Sequence, residues 1–291
     1  MRSATRWVLI AVVLMGMWGC TTLKGVVSAV EGWMEGADTG VRKRVVVAPV
    51  DCSAGVQKWV CNLLEAQLLK ALRREGSLVT MGWAEAVGSR LKPTDPAAVS
   101  SLRQAGAVAV IQAVVSGIVL TQQLKGIYGF REMTPFVVLE VSLTLRDADN
   151  SSVLAHTLLR PEAQITEVQA SAIRDGKAPP TKVVKALVAK AAVLARAWTA
   201  RAMARVPWKG YVLKAQGSKV LISVGRDTGM GVGTELVAYT RGQGVRTGSG
   251  KIIHLPGKKT GRVRITKLMA RSAWAEVVEG KVVVGEVLRT H

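Results

Sequence analysis

The sequence is poor in the residues that build catalytic and metal sites. Three histidines and three cysteines occur in 291 residues, and the histidines, His156, His254 and His291, are scattered without ligand spacing. There is no Gly-x-Ser-x-Gly nucleophile motif, and no cysteine has a histidine partner that the sequence would suggest. The sequence therefore predicts a protein that is not an enzyme and that binds neither a metal nor a cofactor.

Acidic residues are outnumbered two to one. The chain has 40 Lys and Arg against 20 Asp and Glu, a formal net charge of +20. Such an excess favours an anionic partner. Only two Phe and three Tyr are available for stacking on bases, and the chain is expected to be exported, so we expect no nucleic acid partner. An anionic envelope partner fits better: lipopolysaccharide, anionic lipid headgroups, peptidoglycan-linked acids or an acidic protein. A solvated basic surface without a partner is the alternative.

Half of the excess charge lies in the C-terminal part. Residues 207–291 carry 15 cations and 5 acids, and a glycine- and lysine-rich loop spans residues 241–261. The loop is either a binding loop or a solvated insertion. As candidate contacts for an anionic partner we select seven cations of this region: Arg241, Arg246, Lys251, Lys258, Lys259, Arg262 and Arg264.

The chain begins with a pattern typical of export. Arg2 and Arg6 precede an apolar run at residues 7–18, which is shorter than the ~20 residues that cross a bilayer, and Gly19-Cys20 follows. We predict a signal peptide over residues 1–19. The alternative is an uncleaved anchor.

The residues before Cys20 resemble the bacterial lipobox, although Met17 and Trp18 stand where that pattern prefers Leu and a small residue. The resemblance implies cleavage before Cys20 and lipid on its thiol, which would anchor the mature chain without a spanning helix. With Thr21 rather than Asp next, it implies the outer membrane, facing the periplasm. An ordinary secretory signal with an incidental cysteine is the alternative.

Export would permit a disulfide between the two remaining cysteines. Cys52 is predicted in the turn after the first strand and Cys61 in the following helix. A bridge requires the turn to fold back along the helix, and two buried thiols are the alternative.

The mature chain is predicted to contain a tether and two domains. The glycine-rich residues 20–41 form the tether, and residues 42–206 form an α/β domain with a mixed sheet packed with helices. Strands are predicted at 45–50, 107–121 and 136–146 from β-branched and alternating apolar residues, and a helix at 182–205 from apolar spacing. A polar turn is predicted between Thr121 and Pro135, and Asp147 and Asp149 are read as turn formers.

Residues 207–291 are predicted to form a small all-β domain. Six short β segments alternate with glycine turns, at 212–215, 219–224, 235–240, 260–269, 272–278 and 282–288. This number and spacing of strands is typical of a small barrel.

Three segments of the first domain resemble the curli-secretion (CsgG-like) superfamily. They are RVVVAPV at 44–50, AGAVAVIQAVV at 105–115 and VSLTLRDAD at 141–149. The segment VLISVG at 220–225, with Asp227, Gly229, Gly233 and Tyr239, is similar to the C-terminal domain of flagellar assembly protein T. These resemblances imply an α/β periplasmic domain followed by a small β domain.

The superfamily includes secretion channels, flagellar ring components and lipoproteins that activate cell-wall synthases. A channel protomer needs amphipathic hairpins with strands of ~9–11 residues, whereas the predicted turn is short and contains Lys125, Arg131 and Glu132. We therefore expect a non-enzymatic scaffold or assembly lipoprotein whose partners are envelope assembly or secretion proteins. The alternatives are a protomer of a secretion channel, which would be a homo-oligomer, and an activator of a peptidoglycan synthase.

Overall fold

The structure is a computed structural model that describes residues 40–290 except 94, 128–129, 243, 247–251 and 255–256. The predicted signal peptide, Cys20 and residues 20–39 of the predicted tether lie outside the described residues. Gly40–His291 forms one compact unit that contains both predicted domains. No helix in the described part of the chain is long and apolar enough to cross a bilayer.

A mixed seven-stranded sheet forms the first half of this unit, as predicted. Its main path runs β3 (Leu78–Gly82), β1 (Lys43–Val47), β4 (Ala109–Ile127), β5 (Phe130–Asp147) and β6 (Val153–Leu159). The short strands β2 (Asp51–Cys52) and β7 (Glu162–Gln164) pair with β4 and β5. The β3, β1 and β4 pairs are parallel, and the β4, β5 and β6 pairs are antiparallel. Strand β1 is buried along its whole length because helices cover both of its faces.

Helices α1 (Lys58–Arg73), α4 (Glu167–Arg174) and α5 (Thr181–Ala204) pack on one face of the sheet. Their apolar stripes meet the inward side chains of β1, β4 and β5, with Leu64, Leu143 and Leu187 at the centre. The shorter helices α2 (Trp83–Ala86) and α3 (Pro96–Gln104) cover the opposite face near β1 and β3. The helix predicted at 182–205 is therefore confirmed as α5.

The turn predicted between Thr121 and Pro135 is wrong. Strands β4 and β5 continue as a two-stranded ribbon, and Gln122 pairs with Pro135 and Ile127 with Phe130. Beyond the edge of the sheet neither face of the ribbon meets a helix, and Leu124 and Met133 are 56% and 57% exposed. A ribbon that is wet on both faces needs no alternation of apolar and polar residues, so its sequence resembles a polar turn.

The second half of the unit is a closed six-stranded barrel, which confirms the predicted barrel. The strands are β8 (Gly210–Gln216), β9 (Lys219–Ile222), β10 (Glu235–Tyr239), β13 (Lys259–Leu268), β14 (Ala273–Gly280) and β15 (Val287–Arg289). They close in the order β10-β13-β14-β9-β8-β15 around a core that includes Val220, Leu236 and Ile265. A small hairpin of β11 (Gly244–Arg246) and β12 (Ile252–His254) lies within the predicted basic loop.

Candidate functional site

A buried arginine joins the sheet to the barrel. Arg44, in β1, is 1% exposed, and its Nε and Nη2 donate to the two carboxylate oxygens of Asp227 at 2.9 and 2.7 Å. The remaining donors reach the carbonyl oxygens of Ala105 (3.0 Å), Ser223 (2.6 Å) and Arg271 (2.8 Å). All five N–H groups of the guanidinium are therefore used, which is what a buried charge requires. Sequence reasoning missed this pair, and the only signal was a cation inside an apolar strand.

Two aspartates add a second set of contacts across the same junction. Asp147 accepts from Lys209 at 2.5 Å, and Asp149, which accepts from Arg103 of its own half at 2.5 Å, lies 3.7 Å from Arg241 of the barrel half. Asp147 also accepts the backbone N–H of Asp149 at 2.8 Å, so the two residues form the predicted turn as well. Burial, together with the charges of Asp149 and Asp147, raises the pKa of Tyr211 well above its usual value. These charges hold the fold together and face no open pocket.

The described residues contain no catalytic arrangement. One serine and one histidine are close, since Ser142 Oγ lies 3.0 Å from His156 Nε2 on the uncovered face of the sheet. No described carboxylate hydrogen bonds to that imidazole, so nothing orients it as the third member of a triad would. Nor does the described part of the chain hold three His, Cys, Asp or Glu side chains placed to bind a metal.

Three of the seven cations proposed for an anionic partner lie together on the barrel wall. Arg262 donates to Glu279 at 2.6 Å, Arg264 to Glu235 at 2.6 Å, and Lys259 lies 3.7 Å from Glu279. The neighbouring cations Arg262 and Lys259 lower the pKa of the Glu279 carboxyl. Alternating charges on adjacent strands thus neutralise one another, which leaves little field for an external anion.

The other four candidates do not form a cluster that can be described. Arg241 lies 3.7 Å from Asp149, at the junction with the sheet. Lys258 lies near the end of the predicted loop with an exposed side chain, and Arg246 ends β11. Lys251 lies outside the described residues. Binding of an anion by these seven residues stays a prediction.

Cys52 and Cys61 form a disulfide, with their Cα atoms 6.1 Å apart. Cys52 ends β2, and Cys61 lies in the first turn of α1, because that helix begins at Lys58. The chain between them folds back so that the bridge ties the end of β2 to the helix. Cys20, the predicted lipid site, lies outside the described residues.

The outward face of α5 differs from the barrel wall. The helix contains no acidic residue in 24 positions, and from Gly176 to Arg226 the chain has eleven cations and no acid. Five of its basic residues form no ion pair within the described part of the chain, and all five are exposed: Lys182, Lys185, Lys190, Arg201 and Arg205, the last at the C-cap. Arg196 lies 4.0 Å from Glu75. The acid-free run is visible in the sequence, so this surface could have been predicted.

Apolar side chains share this face with the cations. Val193 is 58% exposed and Leu194 is 46% exposed, although Leu194 falls within the apolar stripe expected from the sequence. Exposed alanines lie between them and the basic residues, as at Ala186 and Ala189. A helix with apolar residues on both of its faces is usually covered on both. The outward face of α5 is therefore suited to contact another surface.

A groove of about 670 Å³ runs beside this face. Its lining combines the apolar residues Pro161, Ala189, Val193 and Leu194 with the charged residues Arg160, Glu162 and Lys190. Lys190 Nζ donates to the carbonyl oxygen of Glu162 at 2.9 Å. The groove thus brings apolar side chains next to two cations and one carboxylate.

Comparisons with known proteins give no family. No protein-family model and no curated protein matches the chain. Among solved structures, a Xanthomonas campestris protein from a family of unknown function aligns with a TM-score of 0.34 and 11% identity, over 56% of this chain and 87% of that one. The dodecameric PelC of Paraburkholderia phytofirmans aligns with a TM-score of 0.32 and 16% identity, over 54% of this chain and 89% of that one. A minor lipoprotein of Acinetobacter baumannii aligns with a TM-score of 0.30 and 14% identity, over 55% of this chain and 94% of that one. Alignments this weak establish neither family nor function, so both must be argued from the residues.

Proposed function

We propose that this protein is a non-enzymatic envelope lipoprotein, held by lipid on Cys20 at the periplasmic face of the outer membrane, where it acts as a scaffold or assembly component of an envelope machine. The observation that carries the proposal is the outward face of α5, which exposes Val193 and Leu194 among unpaired cations. Exposed apolar residues beside charges are typical of a surface that binds a partner.

Two further features support a binding role over a chemical one. The charged residues at the junction use their donors and acceptors on each other, with Arg44 fully bonded and Asp227 its carboxylate partner. They join sheet and barrel firmly, and a firm body presents its surfaces in a fixed arrangement, which a scaffold needs. The described residues offer no nucleophile with an oriented base.

The ribbon of β4 and β5 bears on the alternative of a secretion channel. It extends beyond the sheet by only about six residues per strand, about 20 Å at ~3.4 Å per residue. A membrane barrel needs strands of ~9–11 residues with one continuous apolar face. Lys125 and Glu132 form a pair on this ribbon, so the longer hairpin still favours a scaffold.

Acyl labelling and fractionation test the anchoring. Cells expressing the wild-type protein should incorporate labelled fatty acid into it and place it in the outer-membrane fraction. Cys20→Ser should lose the label. Equal labelling of both proteins would show that lipid does not depend on Cys20.

Crosslinking tests the assembly role. Crosslinks formed in intact cells with the wild-type protein should recover components of one envelope machine, of the flagellar or secretion type. The Cys20→Ser variant, which has no lipid anchor, should recover fewer of them. Recovery of no envelope protein in repeated experiments would contradict the scaffold.

A further inference from the structure

We propose that the outward face of α5 binds the surface of an anionic phospholipid bilayer and so orients the protein on the membrane. The inference rests on the proposed lipid anchor for its setting, and it assigns the anionic partner to α5 instead of the barrel. It names one occupant for this face, a bilayer leaflet that contains phosphatidylglycerol-type headgroups.

Charge complementarity is the first argument. Along about 36 Å of helix, at ~1.5 Å per residue, α5 has no carboxylate of its own. Lys182, Lys185 and Arg201 are exposed and form no ion pair in the described part of the chain. Three cations of the barrel wall, Lys259, Arg262 and Arg264, by contrast have carboxylate partners at 2.6 to 3.7 Å. The helix therefore presents a run of uncompensated cations, and an anionic plane can meet several of them at once.

The apolar residues between the cations select a lipid surface over other polyanions. Val193 and Leu194 are 58% and 46% exposed, and they border the groove. A polysaccharide or another purely charged polymer gives these side chains nothing apolar to contact. The headgroup region of a bilayer receives both kinds of group, because basic side chains pair with phosphates while short apolar ones enter the acyl boundary.

The acidic groups near this face are few and already engaged. Glu162 lines the groove, and its carboxylate accepts from Gln123 at 2.7 Å. Glu140 pairs with Arg160 at 3.0 Å, and Glu75 lies 4.0 Å from Arg196. Each of these three carboxylates therefore already has a partner, so an approaching phosphate would meet mainly basic groups.

Vesicle binding by two matched variants tests the proposal. The protein used is the mature chain from residue 20 with Cys20→Ser, so that no acyl chain takes part. Vesicles contain phosphatidylcholine alone or mixed with phosphatidylglycerol, and bound protein is measured by co-sedimentation. One variant reverses three lysines of α5: Lys182→Glu, Lys185→Glu and Lys190→Glu. The control reverses three exposed lysines of the barrel: Lys214→Glu, Lys219→Glu and Lys267→Glu.

The two variants carry the same net charge, so they separate a local surface from a general attraction. Each basic residue at an anionic surface contributes about fivefold to binding, so the α5 variant should lose at least about one hundredfold. The affinity of the barrel control for the vesicles should stay within a few-fold of that of the unreversed protein. Binding to the mixed vesicles should fall as the salt concentration rises. A neutral variant with glutamine at the same three α5 positions should lose about one hundredfold, which excludes an effect of the new carboxylates on folding.

Several outcomes would overturn the proposal. They are equal losses in both variants, equal binding to phosphatidylcholine alone, or no binding of the unreversed protein. Capture of an acidic envelope protein through α5, without vesicle binding, would assign the face to a protein instead. Because the assay uses no lipid anchor, its failure leaves acyl labelling at Cys20 unaffected, and failed labelling leaves vesicle binding unaffected. The two proposals can therefore fail separately.

Discussion

Replacing Arg44 with Met should destabilise the protein strongly, because Met fills similar space but donates no hydrogen bond. The substitution would leave three backbone carbonyls without their donor and Asp227 without its counter-charge. Removing one member of a buried ion pair typically costs about 3–5 kcal/mol. The Asp227 side chain is 24% exposed, so water can solvate it in part, and we expect the lower end of that range, about 3 kcal/mol.

Urea unfolding followed by far-ultraviolet circular dichroism measures this loss. A matched control is Arg264→Met, which breaks the exposed pair with Glu235 at 2.6 Å. Exposed ion pairs contribute about 0–1 kcal/mol, so the control should unfold close to the wild-type midpoint. If Arg44→Met and the control lose the same small amount, the guanidinium does not join sheet and barrel as argued.

The double variant Arg44→Met with Asp227→Asn separates the pair from its surroundings. Asp227→Asn alone leaves the buried guanidinium charge unpaired, whereas the double variant leaves no buried charge. The two losses should therefore sum to more than the loss of the double variant, by at least about 1 kcal/mol. Strict additivity would mean that the ion pair itself contributes nothing.

Three further predictions concern the same body. Gly106→Ala should lower the free energy of unfolding by more than about 2 kcal/mol, because the residue has φ +69° and an added Cβ would lie 2.6 Å from the Ser223 carbonyl oxygen. Gly176 also has a positive φ, but the space around it is open. Gly176→Ala should therefore lose only about 1–2 kcal/mol in the same unfolding assay. Replacing Cys52 and Cys61 by Ser should cost about 2–3 kcal/mol and make the melting temperature insensitive to reductant. Tyr211 has a raised pKa in the folded state, so it stabilises the fold fully below the unfolded pKa of about 10 and progressively less as pH rises above that value. Tyr211→Phe should remove the part of the alkaline destabilisation that comes from ionisation of this hydroxyl. An unchanged dependence of stability on pH in the variant would contradict this prediction.

Much of the fold could be predicted because its strands have a buried side. The alternation in β5 and the β-branched run in β1 arise because these strands pack against helices, and the spacing of the glycine turns indicates the barrel. The projecting part of β4 and β5 could not be predicted in the same way. Its residues pair only with each other, so no buried face imposes a pattern, and polar residues such as Gln122 and Lys125 resemble a turn.

Among the charged residues, too, some features could be predicted from the sequence and others could not. A cation in a buried strand indicates that Arg44 needs a partner, but Asp227 lies 183 positions away, and nothing in local spacing connects them. The seven candidate cations form an obvious cluster in sequence, yet Lys259, Arg262 and Arg264 pair with carboxylates across strands. Strand register, and not proximity along the chain, decides which charges meet. The acid-free run over α5 can be recognised without knowing which residues pair in the fold. It is therefore the stronger sequence signal for an exposed basic surface.

The charges of α5 also carry an energetic cost that the packing of the helix must offset. Lys182 with Lys185, and Arg201 with Arg205, stand three and four positions apart, spacings at which like charges destabilise a helix by about 0.2–0.5 kcal/mol per pair. The helix has no acid to relieve this repulsion, and it owes its stability to the buried side, where Leu187 is fully buried. An anionic surface would remove the repulsion by screening all of these cations together. Binding of phosphatidylglycerol vesicles should therefore raise the melting temperature of the mature Cys20→Ser protein and leave that of its α5 lysine-reversal variant unchanged. An equal rise in both would show that the stabilisation arises elsewhere.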